Sequence, residues 1–200
     1  MRIAILGTGN VGTALGTGFA KAGHRVEYGS RRPAQVDCAV GQADSIPGAV
    51  RQAEVVVLAV PFGAVADALE AAGEGAFAGK VVVDATNPMG QPVPEPHRSG
   101  AERVAALTPG GKVGKAFNTM GWETMADPVV DGQAALGLVC GDDGEAKEIV
   151  LQLARELGFD AVDAGELAAA SLLEGLATLW LQLAFRRGLG RGIAFTLLRR

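Results

Sequence analysis

Residues that commonly build metal and redox centres are scarce in this sequence of 200 residues. It has two cysteines, Cys38 and Cys140, and two histidines, His24 and His97. The spacing of the cysteines matches no metal-binding or redox motif, so we expect two reduced thiols and no metal site. No Ser-His-Asp arrangement is apparent, and we assign no catalytic acid or base.

Aromatic residues and net positive charge are lacking as well. Phe, Trp and Tyr make up 5% of the chain, and the formal net charge is −4. Few aromatic side chains can serve as stacking platforms for bases, and no positive field attracts nucleic acid or an anionic membrane. The first residues lead directly into a strand-like segment and do not resemble a signal peptide. We therefore expect a cytoplasmic protein that binds small molecules.

Hydrophobic residues, by contrast, make up 48% of the chain, which suffices for the core of one domain spanning residues 1–200. Short apolar runs alternate with helix-length segments, as in parallel sheets covered on both faces. The expected strands are Ile3–Leu6, Arg25–Tyr28, Asp37–Val40, Glu54–Val60, Lys80–Asp84, Lys112–Ala116, Ala134–Val139 and Phe159–Val162. The expected helices are Val11–Ala22, Ala64–Ala72, Ala101–Leu107, Gly144–Leu157 and Glu166–Phe185. This alternation predicts an α/β Rossmann fold: a doubly wound, mostly parallel sheet of about eight strands with a C-terminal helix.

A glycine-rich loop follows the first expected strand and opens the first expected helix, which is the context that a dinucleotide-binding G-x-G-x-x-G motif requires. In that motif the first glycine allows a tight turn and the second lets the backbone approach the pyrophosphate. The third lets the helix pack closely on the strand. The helix N-terminus adds free N–H groups for the phosphates. We assign to cofactor binding Gly7, Thr8, Gly9, Asn10, Val11 and Gly12.

The end of the second strand indicates which dinucleotide is bound. NAD-binding proteins usually place an acidic residue there to bond the ribose 2′-hydroxyl. This chain has Ser30, Arg31 and Arg32 instead. A hydroxyl and guanidinium groups would bind a 2′-phosphate through charge-assisted hydrogen bonds, whereas a carboxylate would repel it. The sequence therefore predicts NADP(H) as the cofactor.

Three further strand ends should face the same cleft, because ligands of open α/β sheets bind at the carboxyl ends of the strands. The small residues after the strongest strand would let the cofactor pass closely. Asn87, Asn118 and Thr119 could fix the nicotinamide or its partner, although asparagines also favour turns. The residues assigned to the cofactor here are Ala59, Val60, Pro61, Phe62, Asn87, Pro88 and Asn118.

The C-terminal segment 165–200 contains an unusually apolar helix with a single charge, Glu174, between Leu167 and Phe185. It is interpreted as a buried core or dimer helix that also lines the pocket, and a transmembrane helix is the alternative. A basic stretch follows at Arg186–Arg191. It could bind an anionic substrate or be solvated, and we favour solvation.

These motifs together resemble the coenzyme F420-dependent NADP oxidoreductases. The similar segments are Met1–Gly12, Gly29–Arg32, Cys140–Asp143, Asp163–Gly165 and Leu173–Leu176. The resemblance implies a compact, usually dimeric Rossmann protein that moves a hydride between NADPH and carbon 5 of a deazaflavin, coenzyme F420. It also implies that Thr8, Ser30 and Arg31 hold the 2′-phosphate region. The NADP domain is similar, in addition, to the cytosolic part of membrane ferric reductases, which pass electrons to a flavin.

The leading hypothesis is therefore an NADPH-dependent oxidoreductase, a homodimer, that exchanges a hydride with a deazaflavin or flavin-like ring. Such a transfer requires positioning and no side-chain proton donor. One alternative is a reductase of another small acceptor, such as a carbonyl or imine compound, with Lys115 or His97 as the proton donor. The other is a non-catalytic NADP(H) sensor whose apolar C-terminal helix contacts a partner.

Overall fold

The apolar runs assemble into one eight-stranded sheet in the computed structural model, which describes residues 1–200. Its strands are β1 Arg2–Leu6, β2 Arg25–Ser30, β3 Gln42–Ser45, β4 Val55–Leu58, β5 Val81–Asp84, β6 Lys112–Lys115, β9 Leu136–Gly141 and β10 Asp160–Asp163. The order across the sheet is β3-β2-β1-β4-β5-β6-β9-β10. All neighbours are parallel except β6 and β9. The chain winds outward from β1 in both directions, so the order reverses between β1 and β4.

Helices cover both faces of this sheet. They are α1 Asn10–Lys21, α2 Ile46–Gln52, α3 Val65–Ala72, α4 Gly100–Leu107, α5 Trp122–Ala126, α6 Gly144–Leu157 and α7 Ala170–Leu181. Alternate residues of each strand enter two separate cores: Ile3 and Ile5 pack with α1 and α6 on one face, and Ala4 and Leu6 pack with α2 and α3 on the other. Because both faces of the sheet are buried, its central strands β1, β4 and β5 are almost continuously apolar. The doubly wound α/β prediction is confirmed.

Several elements differ from the sequence prediction. No strand forms at Asp37–Val40; the edge strand is β3, five residues further on, and its residues are polar or half-exposed because nothing covers that edge completely. The segment Ala134–Val139 is divided between a two-residue strand, β8 Gln133–Ala134, which pairs with β7 Val129–Val130, and β9. The antiparallel pairing of β6 with β9 follows from this short hairpin and α5, which together reverse the chain direction.

The C-terminal helix is less uniform than its composition predicts. A 3₁₀ turn at Leu167–Ala169 precedes α7, and a π turn at Gln182–Arg186 follows it. Only one face of α7 is buried, since Leu172 and Leu179 on the other face are exposed. The helical segment Leu167–Arg186 is long and apolar enough to cross a membrane, but core helices of soluble proteins can be equally long and apolar.

The last residues have no regular secondary structure, yet contacts attach them to the domain. The indole N–H of Trp180 donates a hydrogen bond to the carbonyl of Ile193. The main-chain N–H of Leu136 donates to the carbonyl of Phe195, and the Arg199 guanidinium pairs with Asp160. The tail therefore runs from α7 back across β9 and β10.

Candidate functional site

A groove runs across the carboxyl ends of the strands at the point where the strand order reverses, which is where open α/β sheets bind their ligands. It consists of two adjoining cavities that share Gly9, Ala59, Val60 and Pro61 as walls. The first, about 300 Å³, lies beside the ends of β1 and β2, and we call it the nucleotide cavity. The second, about 440 Å³, reaches β5, β6 and the C-terminal helix, and we call it the apolar cavity.

The glycine loop between β1 and α1 forms the floor of the groove. Gly7 has φ +124°, and a Cβ there would lie 2.3 Å from the carbonyl oxygen of Ala59. A Cβ on Gly12 would lie 2.1 Å from the carbonyl oxygen of Gly7. Gly9 has open space instead, with no atom within 4 Å of the place a Cβ would take. Helix α1 begins after Gly9 without a side-chain cap, so its first N–H groups are available to an anion.

The nucleotide cavity ends at a hydroxyl and a guanidinium group. Ser30 is the last residue of β2, and its Oγ accepts a hydrogen bond from the main-chain N–H of Arg32 at 3.1 Å. Arg31 lines the cavity, is exposed and forms no ion pair. Asp67 from α3 is the other charged residue of the wall. An unpaired guanidinium beside a hydroxyl at this position fits a phosphate monoester.

The apolar cavity is built from segments that are distant in sequence. Met120, Trp122 and Met125 come from the β6–α5 region, and Trp180 comes from α7. Arg191 of the tail completes the wall. None of these five residues was assigned individually to the site from the sequence, although the C-terminal helix was expected to line the pocket and the basic stretch was considered as a substrate contact.

Arg191 is only partly solvated, unlike the expectation for the basic stretch, because it pairs with Glu123. Its guanidinium makes two hydrogen bonds to the Glu123 carboxylate, the one from Nη2 measuring 2.9 Å. It also lies 5.6 Å from the ring centroids of Trp180 and Phe185. The hydrogen bonds with Glu123 raise the pKa of Arg191, so this guanidinium stays charged and releases no proton. Arg186 and Arg187 are exposed, as expected.

An asparagine pair closes the end of the apolar cavity. The side-chain amide N–H of Asn87 donates to the main-chain carbonyl of Asn118 at 2.8 Å, and the Asn118 amide N–H donates to Oδ1 of Asn87 at 3.0 Å. Asn118 follows Phe117, which has φ +60° although it is a bulky, buried residue. Such strain persists only where the surroundings enforce it.

Most of the sequence-predicted cofactor residues are brought together in the groove. Those that line it are Gly7, Thr8, Gly9, Asn10, Val11, Ser30, Arg31, Ala59, Val60, Pro61, Phe62, Asn87 and Asn118. Gly12 instead packs against the loop backbone. Arg32 is exposed outside both cavities, and Pro88 and Thr119 are buried without lining either cavity.

Neither proposed proton donor lies in the groove. Lys115 is fully buried beneath α7, where its ammonium group lies 2.7 Å from Asp84 and 3.0 Å from Glu174. Burial lowers the pKa of Lys115, but the two carboxylates outweigh that effect and the pKa is raised. Sequence reasoning placed Lys115 near the cleft because it ends a strand; its side chain instead holds the C-terminal helix. His97 is half-buried and lines neither cavity.

His24 has a structural role. It precedes β2 at the opposite end of the sheet from the groove, and its Nε2 lies 2.6 Å from a carboxylate oxygen of Glu156. Its other ring nitrogen lies 3.2 Å from the amino group of Met1. No group of three or more potential metal ligands occurs in the structure.

The doubly wound sheet, the glycine loop at its switch point and the uncapped α1 N-terminus define a dinucleotide-binding Rossmann protein. The profile of the family described as "NADP oxidoreductase coenzyme F420-dependent" matches residues 2–88, which form the strands and loops of the nucleotide cavity. The chain belongs to this family of oxidoreductases, as its full-length relatives also demonstrate.

Three comparisons support this assignment. The F420-dependent NADP reductase of Methanothermobacter thermautotrophicus is 30% identical over 93% of this chain and 90% of its own length. A candidate F420-dependent NADP reductase from Arthrobacter sp. FB24 has a solved structure that covers both chains completely with 30% identity and a TM-score of 0.88. The metalloreductase STEAP3 of Rattus norvegicus is 35% identical over 88% of this chain. The chain spans only 36% of the length of that metalloreductase.

Proposed function

We propose that this protein binds NADP(H) in the groove and transfers a hydride between it and the ring of coenzyme F420 or a flavin-like acceptor. The observation that carries the proposal is the continuity of the two cavities. A phosphate-binding end, with Ser30 and the unpaired Arg31, opens into an apolar cavity that holds no acid–base side chain.

Each part of the groove suits one part of NADP(H). Gly9 and the first N–H groups of α1 leave room and donors for the pyrophosphate. Ser30 and Arg31 bind the 2′-phosphate, and Arg32 adds positive charge just outside the cavity. The walls at Ala59–Phe62 contact the ribose and phosphates, and the segment around Asn87, Pro88 and Asn118 holds the nicotinamide end. When bound, NADPH supplies the hydride from its nicotinamide ring.

The composition of the apolar cavity favours a ring as the acceptor. Reduction of a carbonyl or imine group usually needs a side chain that delivers a proton. The one ionisable residue that lines the apolar cavity is Arg191, whose proton is held by Glu123. Trp122 and Trp180 offer flat surfaces on which a ring can stack, and Met120 adds an apolar wall that excludes water. Hydride transfer between two stacked rings requires this positioning and no proton donor.

The direct test is NADPH oxidation by the purified protein with coenzyme F420, with FMN or with no acceptor. Rapid, protein-dependent oxidation with the deazaflavin is the expected result. The similarity to a metalloreductase is the reason to include a ferric complex in the same assay. Tight NADPH binding without oxidation of NADPH by any acceptor would contradict the proposed reaction and would favour a sensor.

We further propose that the protein works in the cytoplasm as a homodimer. Both cysteines are free, in keeping with a reducing compartment. Leu172 on α7 is 73% exposed and Leu198 in the tail is 82% exposed, and such apolar residues suit a contact between two copies. Analytical ultracentrifugation of the wild type and of Leu172→Glu tests the dimer, since the substitution should produce monomers.

A further inference from the structure

We propose that the side-chain carbonyl oxygen of Asn118 accepts a hydrogen bond from the carboxamide N–H of the nicotinamide, and that Asn87 orients Asn118 for this contact. The proposal rests on NADP(H) binding as described above. It makes Asn118 a residue that positions the ring, and Asn87 a residue that acts through Asn118.

The hydrogen bonds of the pair determine which atom of Asn118 is free. The main-chain carbonyl of Asn118 can only accept, so the Asn87 atom that faces it at 2.8 Å must be the amide nitrogen. Oδ1 of Asn87 is then the acceptor for the Asn118 amide nitrogen at 3.0 Å. These two hydrogen bonds fix the orientation of both side-chain amides, and they leave Oδ1 of Asn118 without a partner.

That oxygen is buried and has no partner. Asn118 is 3% exposed, and its Oδ1 is one of two buried side-chain polar atoms in the structure without a hydrogen bond. The other, the Tyr28 hydroxyl, lies outside the apolar cavity. Native proteins rarely leave a buried acceptor unpaired, because the group loses its bonds to water without replacement. An acceptor of this kind in the wall of a binding cavity points to a ligand that donates.

The backbone holds Asn118 in this position at a cost. Phe117 keeps φ +60° because its ring is packed between Phe19 and Phe159, with centroid distances of 6.1 and 5.9 Å. A left-handed conformation in a bulky residue is unfavourable and is concentrated at functional sites. The packing of Phe117 therefore maintains a strained turn that presents Asn118 to the cavity.

The order of residues along the groove identifies the donor. The apolar cavity is lined by Gly9 at the pyrophosphate position, then Ala59 and Val60 at the end of β4, then Asn87 and Asn118 after β5 and β6. Pyrophosphate, ribose and nicotinamide follow one another in NADP(H) in the same order. The carboxamide, which carries two N–H donors at the nicotinamide end of this series, is the donor that we assign to the free carbonyl oxygen.

An analogue that lacks the donor provides the test. In the 3-acetylpyridine analogue of NADP⁺ a methyl group replaces the amide nitrogen, so the N–H is lost and the ring is kept. Binding is measured by quenching of tryptophan fluorescence, since Trp122 and Trp180 line the cavity. We expect the wild type to bind NADP⁺ roughly tenfold more tightly than the analogue, which corresponds to about 1.4 kcal/mol.

Three variants assign the difference to the asparagine pair. In Asn118→Leu, NADP⁺ and the analogue should bind with similar affinity. In Asn87→Ala the preference for NADP⁺ over the analogue should become smaller, because the side chain of Asn118 is free to rotate. The control is Gln91→Leu, which removes another amide from the same cavity and should keep the wild-type preference.

Equal binding of both nucleotides to the wild type would overturn the proposal, and this comparison needs no variant to fold. An unchanged preference in Asn118→Leu would overturn it as well. If the wild type binds neither nucleotide, the proposed NADP(H) function itself is contradicted.

Discussion

Replacement of Lys115 with methionine tests how the C-terminal helix is held on the sheet. Methionine keeps most of the side-chain volume but removes the ammonium group that lies between Asp84 and Glu174. The Glu174 carboxylate, which also accepts the N–H of Gly100 at the start of α4, is then buried beside a second carboxylate. Breaking a buried ion pair in this way costs about 3–5 kcal/mol. In a chain of this length the melting temperature should fall by roughly 10 °C.

The pKa of Lys115 determines how its contribution to stability depends on pH. In the wild type the pKa of Lys115 is raised despite burial, because two carboxylates face it. A raised folded-state pKa gives stability that is complete below the ordinary value of 10.5 and is lost only as the pH rises through the folded value. The contribution of Lys115 is therefore constant near neutrality.

Lys112→Met is the matched control, because Lys112 lies on the same strand but is only half-buried. Its ammonium group lies 3.1 Å from Asp143 and 3.7 Å from Glu145, and solvent screens both pairs. Urea and thermal unfolding of both variants near neutral pH provide the measurement. Similar losses of stability in the two variants would refute the reasoning.

Further substitutions test the groove. Arg31→Ala should weaken NADPH binding by about 1–3 kcal/mol, the contribution of a charge-assisted hydrogen bond, and should leave NADH binding nearly unchanged. Isothermal titration calorimetry with both nucleotides measures the two affinities. Equal losses of affinity for NADPH and NADH would contradict the 2′-phosphate assignment. Gly9→Ala should keep the wild-type melting temperature but weaken NADPH binding. Gly12→Ala should lower the melting temperature, because a Cβ at Gly12 collides with the backbone of Gly7, whereas a Cβ at Gly9 has open space. Arg191→Met should raise the KM for the acceptor without changing NADPH affinity, and Arg186→Met, at an exposed position, should change neither.

The residues that line the nucleotide cavity could be predicted to lie together because their positions depend on local sequence. Gly7 and Gly12 are required by contacts within one strand–loop–helix unit, and Ser30 and Arg31 directly follow the next strand. The doubly wound sheet could also be predicted, because the apolar run of each strand and the helix-length segment after it are visible in the local sequence. The edge strand β3 was misplaced because a half-exposed edge needs no apolar run.

The sequence by itself thus determined the sheet and the glycine loop, and it predicts a phosphate site at the end of β2. Only the tertiary structure decided the apolar cavity, whose walls come from α5, α7 and Arg191 of the tail. It also decided that Lys115 is a buried anchor for Glu174 and that Oδ1 of Asn118 has no partner. These features depend on contacts between residues that are far apart along the chain. A local sequence pattern does not indicate which side chains such contacts will bury.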